Sequence, residues 1–201
     1  GLYALVAAGL VMLTGVGGMT SFGQAAFVGT GAYATAWICT SPLVATALAG
    51  MRPALLPWLG LLFGIAVTFL IAWGLGAITL RLSGHYLPLC TIAWGLSFYF
   101  LFGNLEFLGG HTGVAGVPAI VVAGVSFASP RSLGLVIWGV LLLALWALHN
   151  LLDSREGRAI RALKGGRVMA ESMGVDTGRY RIKVFVLAAL LAALSGWLYA
   201  H

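Results

Sequence analysis

The sequence predicts an all-α integral membrane protein: a polytopic helical bundle with broken helices and one charged helical loop on the cytoplasmic side. Three observations carry this. Hydrophobic residues make up 61% of the 201 residues and charged residues only 8%, whereas soluble domains carry about 25% charged residues. A soluble chain of this size has nowhere to hide so much apolar surface. The charge is also concentrated: the segment 153–183 holds eight of the 11 Lys and Arg and four of the five Asp and Glu. Finally, the 29 glycines are about twice the usual share, and glycine lets membrane helices approach closely or break.

The elements follow in order. Gly1–Gly17 is apolar and slightly short for a span of about 20 residues. GVGGMTSFGQAAF at 15–27 interrupts it with four glycines and Thr20, Ser21 and Gln24. Such a break is tolerated in a membrane only inside protein or against a water-filled cavity. Ala25–Ser41 resumes as a helix, with Gly29, Gly31 and Ala32 as a close-packing face. Ser41-Pro42 begins a turn or a short apolar piece to Gly50, and Met51–Pro57 punctuates the chain around Arg52. Trp58–Leu80 is a full span closed by Arg81, with Ser83-Gly84-His85 as the turn. Tyr86–Gly103 is the next apolar run. Asn104–Pro118 is a glycine-rich loop without periodicity. Ala119–Phe127 is too short to span and reads as a re-entrant or buried piece. Leu133–Leu152 is a clean span, and Val184–Ala200 is the last. The total is five or six spans.

The polar segment is patterned. Ser154 is placed to cap a helix over RAIRALK, Gly165-Gly166 breaks it, and a second short helix about Arg167–Gly174 ends at its glycine. An ordinary solvated loop is the plainer alternative. Placing 153–183 in the cytoplasm follows the positive-inside rule, returns Arg81 and His85 to the same side, and puts 104–131 outside.

Catalytic chemistry needs converging titratable groups. His85, His111, His149 and His201 are scattered, and no paired carboxylates, phosphate-binding lysine loop or serine elbow occurs. Cys39 and Cys90 have no metal-ligand spacing and read as small buried residues. No metal site and no intrinsic enzymatic activity is expected. The basic charge lacks the aromatic interleaving that grips nucleic acid. No ionisable residue lies deep in a predicted span, as ion-coupled carriers usually require. Energy then has to enter from outside the chain, and a helical loop in the cytoplasm is suited to receive a push from a soluble motor.

Four stretches point to a family. They are TSFGQAAFVGTGAY at 20–33, LRLSGHYLPLCTIAWG at 80–95, LEFLGGHTGVAGVP at 105–118, and SREGRAIRALKGGRVMAESMGVDTGRYRIKVFVLAALLAALSGWLYAH at 154–201. In this order they resemble the permeases of the high-affinity branched-chain amino acid ABC transporters, in particular the M-type subunit. The resemblance implies an importer permease of the bacterial inner membrane. Its expected partners are a second, H-type permease subunit, two ATP-binding subunits and a periplasmic substrate-binding protein. ATP and Mg would be held by those partner ATPases, and no cofactor by this chain. It further implies a single permease domain over 1–201, part of a longer subunit, with 153–183 as its ATPase-coupling loop. Urea and amide transporters share this permease type. An ATP-independent channel or membrane scaffold is the alternative from another class.

The resemblance also distributes roles. In the family the coupling motif is an acid-Ala-Ala core followed by a glycine. Met169–Gly174 matches it at Glu171 and Gly174 and departs at Ser172 and Met173. Arg158, Arg161 and Lys164, three apart on one helix, with Ala170, Glu171 and Gly174, form the expected coupling surface; anionic lipid is the competing partner for the basic residues. Ser21, Gln24 and Thr91, polar groups beside helix breaks, are the expected substrate path, or else they satisfy the helix backbone internally. Glu106 and His111 are the expected contacts to a binding protein, or simple surface residues.

Overall fold

A computed structural model describes residues 1–41, 55–80, 86–122, 125–127 and 129–201. Helix α1 spans Leu2–Leu10 and runs on without interruption as a π-helix over Val11–Val16. Then come α2 (Gln24–Thr40), α3 (Leu56–Thr79), α4 (Tyr86–Asn104), α5 (Pro130–Asp153), α6 (Arg155–Lys164), α7 (Arg167–Ser172) and α8 (Thr177–Ala200). Four of these, α3, α4, α5 and α8, are long and apolar enough to cross a membrane. Leu2–Val16 is a shorter apolar stretch, and α2 has 17 residues. The protein is a multi-pass helical membrane protein.

Helix α8 is the axis. Two thirds of its apolar window (67%) is buried, against 22% in α3 and 11% each in α4 and α5. The reason lies in its small residues. Ala188, Ala189, Ala192 and Ala193 are buried along α8, and Gly196 sits so close to α2 that a Cβ there would lie 2.1 Å from the Val28 carbonyl oxygen. Across the same contact, a Cβ on Gly31 would lie 2.4 Å from the Ala193 carbonyl oxygen. In lipid no hydrophobic force drives helices together, so close backbone packing of this kind supplies the attraction. Helices α1, α2 and α3 surround α8, while α5 presents Trp138 and Trp146 outward.

Two apolar clusters lie along the axis. One, at the charged end, joins Met12, Leu13, Phe27, Ile160 and Phe185; Phe27 and Phe185 meet edge to face at 5.6 Å. The other, at the far end, joins Leu5, Ile120, Leu141, Trp197 and Leu198. There Trp197 Nε1 donates to the Pro57 carbonyl at 2.9 Å and Ser195 Oγ to the Leu2 carbonyl at 3.0 Å. His201 Nδ1 lies 2.7 Å from the Pro118 carbonyl and pins the glycine-rich loop to the end of α8. Burial lowers the His201 pKa, against the pull of that hydrogen bond.

Several expectations need correction. The last helix starts at Thr177, not Val184: Asp176 Oδ1 accepts the Arg179 amide at 3.1 Å and caps it. The charged residues up to Lys183 therefore ride on the first two turns of a spanning helix, where they reach water. The described residues after Pro118 form no re-entrant helix, which leaves the other expectation, a buried piece. Ile120 is buried, and the chain then makes a minimal antiparallel hairpin pairing Val121 with Ser126 and Val122 with Val125. Cys39 and Cys90 are half-buried, not buried. The apolar piece to Gly50, Arg52, Arg81 and the Ser83–His85 turn fall outside the described residues.

Candidate functional site

The first helix break is built by backbone. The π-helix closes with Gly17 N donating to the Met12 carbonyl at 2.9 Å and Met19 N to the Leu13 carbonyl at 3.0 Å. Gly18 turns the chain at φ +66°, and α2 begins at Gln24 with no side chain capping it. The Phe22 amide donates to Thr91 Oγ1 at 3.1 Å, and that hydroxyl donates to the Pro88 carbonyl at 2.9 Å. Thr91 thus fastens the break to the first turns of α4 and satisfies backbone in both places.

Ser21 and Gln24 are different. They are 3% and 4% exposed, yet the Ser21 hydroxyl and both polar atoms of the Gln24 amide meet no hydrogen-bond partner among the described residues. Leaving such a group unpaired costs about 1–3 kcal/mol, and unpaired buried groups in a native fold call for a functional or structural reason. Starting at Ala25, the residue after Gln24, a groove of about 470 Å³ opens between α2 and α4. Its walls are mostly small or aromatic, with Gly29, Gly95, Tyr33 and Tyr99, and with Asn104 at the far end. Ser21, Gln24 and Thr91 do not line it; they sit at the break beside its end.

The second region is the charged helix pair. Ser154 Oγ accepts the Gly157 amide at 3.3 Å, which caps α6. Ile160 is buried under α6 while Arg158 and Lys164 are exposed. Arg161 folds back: its guanidinium donates to the Leu152 carbonyl and lies 3.9 Å from Asp153, neutralising the C-terminal end of α5. Gly166, at φ +107°, reverses the chain into α7. Ala170 is 1% exposed and therefore seats α7 against the fold. Glu171 Oε1 accepts the Thr177 hydroxyl at 2.7 Å, tying α7 to the start of α8. Gly174, at φ +77°, follows the end of α7, as its position in the sequence predicts.

The two regions touch. A Cβ at Gly18 would lie 3.4 Å from Cα of Lys164, the last residue of α6. The charged pair therefore rests directly on the broken helix junction, and through Phe22 and Thr91 that junction holds α4.

A family model described as "branched-chain amino acid transport system / permease component" matches residues 1–201. The chain belongs to this branched-chain amino acid transport permease family. The high-affinity branched-chain amino acid transport system permease protein LivM of Escherichia coli K12 is 27% identical over 99% of this chain and 50% of its own length. Its counterpart LivH of Salmonella typhimurium LT2 is 30% identical over 96% of this chain and 65% of its own. A probable LivM of Methanocaldococcus jannaschii is 27% identical over the whole chain and 64% of its own length. The chain thus spans about half the length of the E. coli M-type relative. No solved structure matches it.

The two residues expected to contact a binding protein lie in consecutive turns. Glu106 is exposed in the first turn of a 3-10 helix over Glu106–Leu108. His111 lies in the next such turn, Gly110–Thr112, and its side chain is outside the described residues. Among the described residues no three His, Cys, Asp or Glu come together as metal ligands. Sequence reasoning missed the α2–α4 groove. Its signal was present in the small residues Ala25, Gly29 and Gly95, but only the packing of the two helices reveals which of them face each other.

Proposed function

We propose that this chain is an M-type permease unit of an ATP-driven importer that moves branched-chain amino acids across the bacterial inner membrane. Residues 1–201 act as one permease domain of a longer subunit. It performs no chemistry itself. An H-type permease pairs with it, two ATPase subunits hold ATP and Mg, and a periplasmic binding protein delivers the solute, with Glu106 and His111 among its contacts. The observation that carries this reading is the seating of the charged helix pair on the helix break. Motion received at Arg158 and Lys164 passes through Lys164 and Gly18 into the 18–23 segment, and from Phe22 through Thr91 into α4. Arg161, Ala170, Glu171 and Gly174 hold the pair's shape. Ser21, Gln24 and Thr91 border the solute path, and the aromatic and glycine walls of the groove suit a small solute with an apolar side chain.

The test is uptake of labelled leucine by cells producing the full-length subunit with its neighbouring transport genes. Arg158 and Lys164 carry no ion pair among the described residues, so reversing both to Glu breaks none. Uptake should fall at least tenfold at unchanged membrane abundance. Unchanged uptake in the double variant refutes the coupling surface. Wild-type uptake indifferent to ATP depletion favours a channel instead, and uptake of urea without leucine favours the amide-type permease.

A further inference from the structure

A crevice of about 590 Å³ lies where α3, α5, α6 and α8 meet, on the charged end of the bundle. It is separate from the α2–α4 groove and from the helix break. Its floor is apolar and belongs to spanning helices, with Phe69 and Trp73 from α3 and Val186 and Leu190 from α8. Its rim carries Arg179 and Lys183, one helical turn apart on α8, and the carboxylate of Glu156 on α6. Neither cation is buried: their side chains are 83% and 54% exposed. Each has one acidic neighbour at 3.0 Å, Asp176 for Arg179 and Glu156 for Lys183. A guanidinium has five N–H donors and an ammonium three, so both keep donors to spare.

The geometry points to a bound anionic phospholipid, with one acyl chain in the crevice and its phosphate between Arg179 and Lys183. Two features select this occupant. The floor is built by apolar spanning helices, and water filling an apolar crevice is unfavourable, so an acyl chain is the natural content. The rim lies where the apolar run of α8 gives way to its charged first turns, and the segment 153–183 carries eight basic against four acidic residues, a net +4. Basic side chains at this level attract anionic headgroups by about 1 kcal/mol each. A zwitterionic lipid fits the floor equally well and lacks the net charge. The inference does not depend on the solute or on coupling to an ATPase.

The experiment is native mass spectrometry of the full-length protein with its partner subunits, extracted in mild detergent and offered phosphatidylglycerol or phosphatidylcholine of identical acyl chains. Wild type should retain phosphatidylglycerol at least fivefold more. Arg179→Gln with Lys183→Gln should abolish that preference. Leu190→Trp, which fills the crevice and leaves the rim, should reduce retention of both lipids. Arg155→Gln removes one charge from the same segment away from the crevice and should leave the preference unchanged. Equal retention of the two lipids by wild type, or a preference that survives both the rim and the filling variants, overturns the site and leaves only general lipid association at a basic surface.

Discussion

Gly196→Ala tests the axis of the fold most directly. The new Cβ would lie 2.1 Å from the Val28 carbonyl oxygen, 2.9 Å from the Ala32 amide nitrogen and 3.0 Å from the Val28 carbonyl carbon, against 3.4–4 Å for ordinary contact. All three are backbone atoms of α2, so no side-chain rotation relieves the clash. The helices have to part by more than an ångström, and the packing of Gly31 against Ala193 on the same interface is lost with it. Overpacking of this kind costs about 1–3 kcal/mol, occasionally more, and backbone-to-backbone overlap puts Gly196→Ala at the upper end. Two internal controls share the chemistry. At Gly74 in α3 and Gly139 in α5 an added methyl would meet nothing within 4 Å, so alanine there should be neutral or stabilise by roughly 0.5–1 kcal/mol through helix propensity. The assay is the thermal midpoint of the full-length protein in mild detergent, followed by fluorescence-detected size exclusion. Gly196→Ala should melt well below wild type and both controls at or above it. Equal midpoints for the three variants refute the claim that α2 and α8 pack backbone to backbone.

Other expectations follow from individual contacts. Thr91→Val removes the partner of the Phe22 amide at a part-buried junction and should cost about 1 kcal/mol, read as a lower thermal midpoint, while Thr91→Ser, which keeps the hydroxyl, should recover most of it. Gln24→Leu removes an amide that has no partner among the described residues; replacing a buried unpaired polar group by an apolar one of similar size should raise the midpoint, and if Gln24 borders the solute path, leucine uptake should fall in the same variant. A variant that is both more stable and fully active places Gln24 outside the path. Ser154→Ala removes the cap of α6 and should destabilise that helix by about 1 kcal/mol, seen as faster hydrogen exchange over 155–164 with the spans unchanged.

Much of this protein is legible in its residues alone, for reasons that are local. Membrane residence follows from composition, because 61% hydrophobic residues cannot be covered by so little polar surface. The helix pair after Asp153 follows from Ser154, the two glycines and Gly174, since caps and left-handed turns are properties of a few adjacent residues. The break before Gln24 was legible in its cluster of glycines and hydroxyls. Where the last helix begins was not, because hydropathy ends at the apolar run while the hydrogen bond from the Arg179 amide to Asp176 starts the helix at Thr177. It took the packed chain to show that Arg161 and Glu171 are engaged internally, at Leu152 and Thr177, and that Ala170 is buried. The same holds for the contact of Lys164 with Gly18, between residues far apart in sequence. Residue types fix what a group is able to do; which groups meet depends on how closely α2 and α8 pack, and that closeness is set by Gly31 and Gly196 acting together across a contact no local pattern records.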